Sequence, residues 1–220
     1  MYKKYPRTLH LPWSKGIQSD DKVLNDTSMF EGREIVVLEK LDGENTTAYR
    51  DRFHARSIDS RHNFTRDWFA RMHSVMKADI PKNIRLVFEN VYAEHSIRYE
   101  SLSSYAYLLS VWETRIDGDY CLAYDDTVVY SELLDVYMPK ELYSGVFDEK
   151  ILKEIAETMD TTKMEGYVIR VVDEFEYDSM STSVSKYVRE NHVQPNSDHW
   201  LKNAKPNGAL VGEIKPYYMS

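Results

Sequence analysis

Short apolar runs dominate this chain and most constrain its fold. Five runs of six to nine residues have the β-branched and aromatic composition of buried strands, and none is long enough for a typical buried helix. They cover residues 34–39, 84–92, 105–113, 166–172 and 183–188. A protein with this pattern must bury several strands in one or more sheets.

Helix and turn signals lie between these runs. Apolar residues recur at helical spacing in residues 65–78 and 148–159, with Thr65 and Asp148 as the predicted N-caps. Asp42-Gly43 and the later Asp-Gly pair at 117–118 are turn signals. The order predicts an α+β fold built on antiparallel β-sheet with inserted helices.

The chain has 220 residues, enough for one well-filled core, and 42% of them are hydrophobic, as in folded proteins. We expect a single domain with three parts. Residues 1–33 form an ordered, irregular N-terminal arm, residues 34–190 form the core, and residues 191–220 form a short polar tail.

The single cysteine, Cys121, cannot form an internal disulfide, which favours a reducing compartment. No apolar run approaches the ~18 residues of a membrane-spanning helix, and the start does not resemble a signal peptide. These features predict a cytoplasmic protein without a membrane partner.

The net charge of −8 argues against nucleic-acid binding, but its distribution does not. Residues 114–160 hold 12 acidic and 4 basic side chains and so account for −8 alone. Residues 50–71 hold six arginines against three aspartates, a local balance of +3. Phosphate affinity depends on local basic surface, although a mixed solvated surface explains the same composition.

The sequence Glu39-Lys40-Leu41-Asp42-Gly43-Glu44-Asn45 places a lysine at a predicted strand end, before a tight turn. An amine attacks phosphorus only when neutral, so a nucleophilic lysine needs a lowered pKa. Alone, Lys-x-Asp-Gly is more often an ordinary surface turn.

Five further segments follow in order. They are His-Ala-Arg-Ser at 54–57, Phe-Glu-Asn at 88–90 with Trp112-Glu113, Glu165-Gly-Tyr-Val-Ile-Arg170, and Ser-Lys-Tyr-Val at 185–188. Taken singly, each segment is also explained without a function, by charged residues at strand ends or by side chains of the hydrophobic core. Together they supply a nucleophile, cations for phosphates, carboxylates for a metal or ribose, and an aromatic ring.

In order and spacing these segments resemble the motifs of the covalent nucleotidyltransferase superfamily of DNA ligases, RNA ligases and mRNA-capping enzymes. The likeness covers about residues 35–190 and is closest to phage-type ATP-dependent RNA ligases that seal nicks in duplex RNA. Asn45, five residues after Lys40, is similar to that branch, as is Arg170, five residues after Glu165. The resemblance implies a nucleotidyltransferase fold built on antiparallel sheet. It also implies that this chain corresponds to the catalytic core alone, without the further domain that family members usually carry.

The resemblance also implies roles for individual residues, with ATP and Mg²⁺ (or Mn²⁺) as cofactors. Lys40 would carry AMP, with Lys186 and Glu165 as further catalytic residues. Lys186 would contact the α-phosphate and depress the pKa of Lys40 by like-charge proximity. Glu165 and Glu89 would hold the metal. The nucleotide-binding set is Glu39, Lys40, Asn45, Arg56, Glu89, Trp112, Arg170 and Lys186, in which Trp112 would stack on adenine.

Two departures from the family pattern bear on the substrate. Lys186 is flanked at ±2 by Val184 and Val188 instead of a second lysine, so Arg189 is the candidate for the missing charge. Only about 30 residues follow Lys186, too few for the usual C-terminal domain. Capture of RNA ends would then depend on the chain's own surface, with Arg7, Arg61, Arg66, Arg71 and Arg189 as candidates, or on a separate RNA-binding or end-healing protein.

Three alternatives to an RNA ligase stay open. A minimal ATP-dependent DNA ligase and a capping guanylyltransferase are disfavoured by Asn45, where those enzymes typically have arginine. The third is a catalytically silent nucleotide- or RNA-binding module. The intact Lys40, Glu89, Glu165 and Lys186 argue against it.

Overall fold

A computed structural model describes residues 1–190 and 204–211 as a mixed α+β structure, which confirms the predicted fold class. The described strands are β1 (Leu9–His10), β2 (Glu34–Lys40), β3 (Glu44–Ala48), β4 (Phe53–Ala55), β5 (Ile84–Asn90), β6 (Ser101–Leu102), β7 (Ala106–Thr114), β8 (Asp119–Cys121), β9 (Glu141–Val146), β10 (Gly166–Val171), β11 (Phe175–Glu176), β12 (Val184–Val188) and β13 (Ala209–Leu210). All five strands predicted from apolar runs are present.

The described α-helices are α1 (Asp67–Met76), α2 (Tyr124–Leu133), α3 (Glu149–Thr158) and the short α4 (Met180–Ser183). Asp148 caps α3 as predicted, because its side chain accepts a hydrogen bond from the Lys150 backbone at 2.8 Å. The prediction for Thr65 is wrong. The cap is Asn63, which accepts from the Thr65 backbone and starts a 3₁₀ turn before α1.

Two larger sheets form the described fold. One has the strand order β1-β12-β10-β2-β9 and the other β11-β8-β7-β5-β3-β4, with a small third sheet of β13 and β6. The Asp42-Gly43 turn does not join a hairpin. It carries the chain from β2 in the first sheet to β3 in the second, so Lys40 lies where the two sheets meet.

The core follows this arrangement. On one side, α1 packs Phe69, Met72 and Met76 against apolar residues of β5 and β7. On the other, Leu152 of α3 joins residues of β2 and β10 in a second cluster. Because successive side chains of a strand point to opposite faces, each of these sheets packs one face against a helix and leaves the other face available to form a functional site.

Parts of the N-terminal arm and tail belong to the sheets. β1 pairs in parallel with β12, and Trp13 donates a hydrogen bond to the Tyr167 hydroxyl at 2.9 Å. Within the predicted tail, residues 204–211 pack on the core and the rest lies outside the described residues. No helix of the described part is long and apolar enough to span a membrane.

Candidate active site

A cavity of about 400 Å³ lies between the two larger sheets. Strands of both sheets line it, and the N-terminal arm forms a further wall. Seven of the eight predicted nucleotide-binding residues lie on this cavity: Glu39, Lys40, Asn45, Arg56, Glu89, Arg170 and Lys186. The exception is Trp112.

Lys40 ends β2, and its amine lies 2.5 Å from an Oε2 oxygen of Glu165. Glu165 directly precedes β10, where Gly166 pairs with Lys40 across the strands. A side chain at Gly166 would collide with the Tyr187 carbonyl oxygen of β12, because the added Cβ would lie only 1.9 Å away. The glycine permits the close strand approach that holds Glu165 beside Lys40.

Electrostatics around Lys40 differ from the predicted picture. Burial alone would lower the pKa of Lys40, but the negative charges of Glu165, Glu89 and Asp42 outweigh it and raise the pKa. Without nucleotide, the amine is therefore held as an ammonium ion. The predicted depression of this pKa by Lys186 is not found, because the attraction of the carboxylates determines the direction of the shift.

Glu89, the residue before the last one of β5, is a carboxylate that lines the cavity and interacts with the charge of Lys40. Burial is the main cause that raises the pKa of Glu89 to about 8, with Glu165 and Asp42 adding to the effect. One of its oxygens accepts a hydrogen bond from the Gly43 backbone at 3.2 Å. Glu89 is thus fixed at the turn that follows Lys40.

Three cations also line the cavity: Lys186 and Arg170 come from the sheet of Lys40, and Arg56 follows β4 of the other sheet. Lys186 on β12 has 18% of its side chain exposed, and burial lowers the pKa of Lys186, with the charge of Lys40 as a further cause. Arg170 is buried and donates to the carbonyl oxygens of Val171 and Leu122. Arg56 is exposed at the cavity. Phosphate groups would meet three positive charges here.

Two buried polar atoms at the cavity have no hydrogen-bond partner. They are the Oδ1 atom of Asn45 and the Nη1 atom of Arg170. Buried polar atoms are rarely left unpaired in proteins, so such atoms mark positions where a bound ligand or water supplies the partner.

Trp112 does not fit the predicted stacking on adenine. Its side chain is only 1% exposed, and the rings of Tyr5, Phe175 and Tyr177 surround it. The guanidinium group of Arg85 lies 4.9 Å from the ring centre. Because these groups fill the ring's surroundings, Trp112 is a core residue, and Leu109 and Ser110 of the same strand line the cavity instead.

The predicted RNA-binding arginines have different environments. Arg61 and Arg71 are exposed, as the prediction requires. Arg66 is instead held by Glu44, with a 2.6 Å contact from Nε and a 2.5 Å contact from Nη2, so its charge is neutralised. Arg7 lines the cavity beside Asp20.

Arg189 does not supply the missing charge at Lys186. It is absent from the cavity wall, and its guanidinium group donates to the Glu190 carbonyl oxygen. Val184, at the position two residues before Lys186, lines the cavity with an apolar side chain.

Sequence reasoning missed several residues of the site. Asp42 is buried and accepts hydrogen bonds from the Ser96 backbone, the Ser96 hydroxyl and the Ile97 backbone, which fixes the loop that carries His95 to the cavity. Tyr5 and Asp21 reach the cavity from the arm. Only long-range pairing of the arm with β12 brings them there, and no local pattern signals it.

The fold is similar to solved ligase structures, although sequence identity is low. A Naegleria gruberi RNA ligase with PPi matches at a TM-score of 0.55 and 17% identity, over 84% of this chain and 57% of that chain. An archaeal ATP-dependent RNA ligase matches at a TM-score of 0.56 and 11% identity, over 86% of this chain and 48% of that chain. A candidate ATP-dependent DNA ligase from Aquifex aeolicus matches at a TM-score of 0.51 and 19% identity, over 86% of this chain and 54% of that chain.

This chain therefore spans about half the length of these solved proteins. No curated protein sequence matches it. The model of the RNA ligase family matches residues 33–188, which include Lys40, Glu89, Glu165 and Lys186. With that match over most of its length, with Lys40, Glu89 and Lys186 lining one cavity and with Glu165 in contact with Lys40, the chain belongs to the RNA ligase family.

Proposed function

We propose that this chain is the catalytic core of an ATP-dependent RNA ligase that joins 5′-phosphate and 3′-hydroxyl ends. One observation carries the proposal: the Lys40 amine lies at a cavity that the cation of Lys186 also lines, and it contacts the Glu165 carboxylate at 2.5 Å. That combination suits a covalent transfer of a nucleotide to lysine.

The reaction has three steps. Lys40 Nζ, after losing its proton, attacks the α-phosphorus of ATP, so that a P–N bond forms and the bond to pyrophosphate breaks. The AMP group then passes to a 5′-phosphate end and frees Lys40. Finally the 3′-hydroxyl attacks the same 5′-phosphate, and AMP leaves as the strand is sealed.

The cavity offers separate regions for the parts of ATP. Apolar side chains of Leu109 and Val168 suit the purine base. Lys186, Arg56 and Arg170 suit the phosphates, since each is a cation at the cavity wall. Glu89, with the unpaired oxygen of Asn45, suits ribose hydroxyl groups.

A divalent metal fits the donor set. Among the described residues no three acidic, histidine or cysteine side chains converge on one point. Mg²⁺ is commonly held by one or two carboxylates together with substrate phosphates, which Glu165 and Glu89 satisfy. When bound, the metal supplies positive charge that offsets the phosphates and competes with Lys40 for the carboxylates. Solved structures of Naegleria gruberi RNA ligase variants hold ATP and Mn.

Transfer of label from α-labelled ATP to the protein tests the proposal. We expect the wild-type protein to retain label through denaturing electrophoresis in the presence of Mg²⁺. Lys40→Arg keeps a positive charge beside Glu165 but cannot act as nucleophile, so it should retain none. Lys163→Arg, an exposed lysine, is the matched control and should label normally. Label on Lys40→Arg would show that another residue carries AMP.

A DNA ligase is the second candidate, because the Aquifex aeolicus candidate ATP-dependent DNA ligase shares the fold. Matched nicks in RNA, DNA and hybrid duplexes separate the two. Preferred sealing of the RNA nick supports the proposal, and preferred sealing of the DNA nick contradicts it. RNA ends are the expected partner, captured either by the chain's own basic surface or by a separate RNA-binding or end-healing protein.

A further inference from the structure

Part of the nucleotide cavity lies outside the segment that matches the family. The match begins at residue 33, yet Tyr5, Pro6, Arg7 and Thr8 line the cavity. We call residues 1–8 the N-terminal strap. Neither the family match nor the ligase motifs assign it a role.

Contacts with three separate elements hold the strap in place. Lys3 forms an ion pair with Asp119 of β8, and its backbone donates to the Tyr49 hydroxyl at 2.8 Å. The Tyr177 hydroxyl donates to the Lys4 carbonyl oxygen at 2.7 Å. These contacts flank Tyr5 on its N-terminal side, so its backbone is anchored where the side chain enters the cavity.

The Tyr5 side chain is fitted to this place. Burial raises the pKa of Tyr5, against a smaller opposing effect of the Ser110 side chain, so the phenol stays neutral. Its ring packs edge-on against Trp112, with ring centres 6.4 Å apart and planes at 88°. Leu109, Ser110 and Phe175 line the same cavity. An aromatic wall of this kind suits a flat, apolar group such as a purine.

We propose that Tyr5 is a nucleotide-contacting residue and that the N-terminal strap completes the base-binding wall of the cavity. The proposal rests on the proposed function, since it takes ATP as the ligand. It assigns to Tyr5 the aromatic contact that Trp112 cannot make. The arm is thereby tied to the nucleotide rather than to RNA.

The test compares Tyr5→Ala, Tyr5→Phe and Tyr2→Ala in two assays. Tyr2 is the matched control, because it lies on the strap and packs against Tyr49 without lining the cavity. The first assay is binding of ATP without Mg²⁺, by calorimetry. The second is the rate of lysyl-AMP formation against ATP concentration, which gives KM and kcat separately.

We expect Tyr5→Ala to raise both Kd and KM for ATP about tenfold, with kcat within about threefold of wild type. Tyr5→Phe keeps the ring and should stay within about threefold in KM, and Tyr2→Ala should match wild type. A purely structural role of Tyr5 would reduce the active fraction, and so lower kcat at unchanged KM.

Unchanged Kd and KM in Tyr5→Ala would overturn the proposal, as would equal rises in Tyr5→Ala and Tyr2→Ala. The proposed function fails differently. If wild-type protein binds ATP but takes no label, the ligase proposal falls while the Kd comparison still decides the role of Tyr5. If wild-type protein does not bind ATP, both proposals fall.

Discussion

Lys40 shows how far a residue's chemistry depends on neighbours that are distant in sequence. The lysine and its strand-end position follow from the motif, but its protonation does not. Glu165 is 125 residues away along the chain and contacts the amine directly. The free protein therefore holds the amine of the proposed nucleophile as an ammonium ion, and we expect a ligand that engages the carboxylates to release it.

Asp119 provides a pH-dependent prediction at the same scale. Burial alone would raise the pKa of Asp119, but hydrogen bonds from Lys3, Thr114 and Arg85 outweigh it and lower the pKa from 3.8 to about 2. A depressed carboxyl pKa stabilises the fold above the unfolded pKa, by ~2 kcal/mol for this shift, and the contribution is lost as pH falls from ~4 towards ~2. Asp119→Asn should lower the free energy of unfolding at pH 7 by about this amount.

Urea unfolding of both proteins at pH 7 and pH 3 checks this prediction. The difference between wild type and Asp119→Asn should shrink at pH 3. Asp117→Asn removes an exposed carboxylate two residues away and should change the stability by less than ~0.5 kcal/mol at either pH. A difference that does not change with pH would show that the loss comes from packing rather than from charge.

At the scale of elements, the sequence predicts what is local. The apolar runs identify β2, β5, β7, β10 and β12 because alternation and β-branching are properties of each run. The sequence pattern does not identify α2 or β9. Two apolar residues of α2, Val129 and Leu133, are solvent-exposed, so α2 lacks a clear apolar stripe. The parallel pairing of β1 with β12 joins residues about 176 apart and has no local signal.

The pair Glu44–Arg66 links two elements and changes the prediction for this arginine. Glu44 begins β3 at the cavity, and Arg66 precedes α1. In Arg66→Gln the Glu44 carboxylate loses its partner and adds a negative charge beside the expected phosphates. We therefore expect the KM for ATP in lysyl-AMP formation to rise about fivefold, or ~1 kcal/mol.

Arg71→Gln is the matched control, because it removes an exposed arginine from α1 and should leave this KM unchanged. The double variant Arg66→Gln/Glu44→Gln should recover most of the loss, since the unpaired charge is gone. If Arg66→Gln lowers RNA sealing but spares lysyl-AMP formation, the arginine contacts RNA after all.

For the whole molecule, the surface is divided by charge. The segment 114–160 is strongly acidic, whereas Arg56, Arg61 and Arg71 are exposed in the basic stretch that begins at the cavity. Because phosphates are repelled by the first surface and attracted to the second, we expect the charge pattern to orient an RNA end towards Lys40 despite the net charge of −8. The sequence alone predicted this stretch, but only the structure separates its exposed arginines from the paired Arg66.

RNA binding should consequently be modest and weakly salt-dependent. With ~3–5 phosphate contacts, the slope of log affinity against log salt should be about −0.9 per contact. Arg61→Gln/Arg71→Gln should make that slope less steep by the contribution of about two phosphate contacts. It should also weaken sealing of a nick that already carries AMP. It should spare lysyl-AMP formation, because neither side chain lines the cavity. The charge-matched control Lys150→Gln/Lys163→Gln removes two positive charges outside the basic stretch and should seal the same nick at the wild-type rate. Equal losses in sealing and in lysyl-AMP formation would show that Arg61 and Arg71 support the cavity or the fold. Normal sealing by Arg61→Gln/Arg71→Gln would contradict the RNA role of this stretch and assign end capture to another surface or to a separate protein.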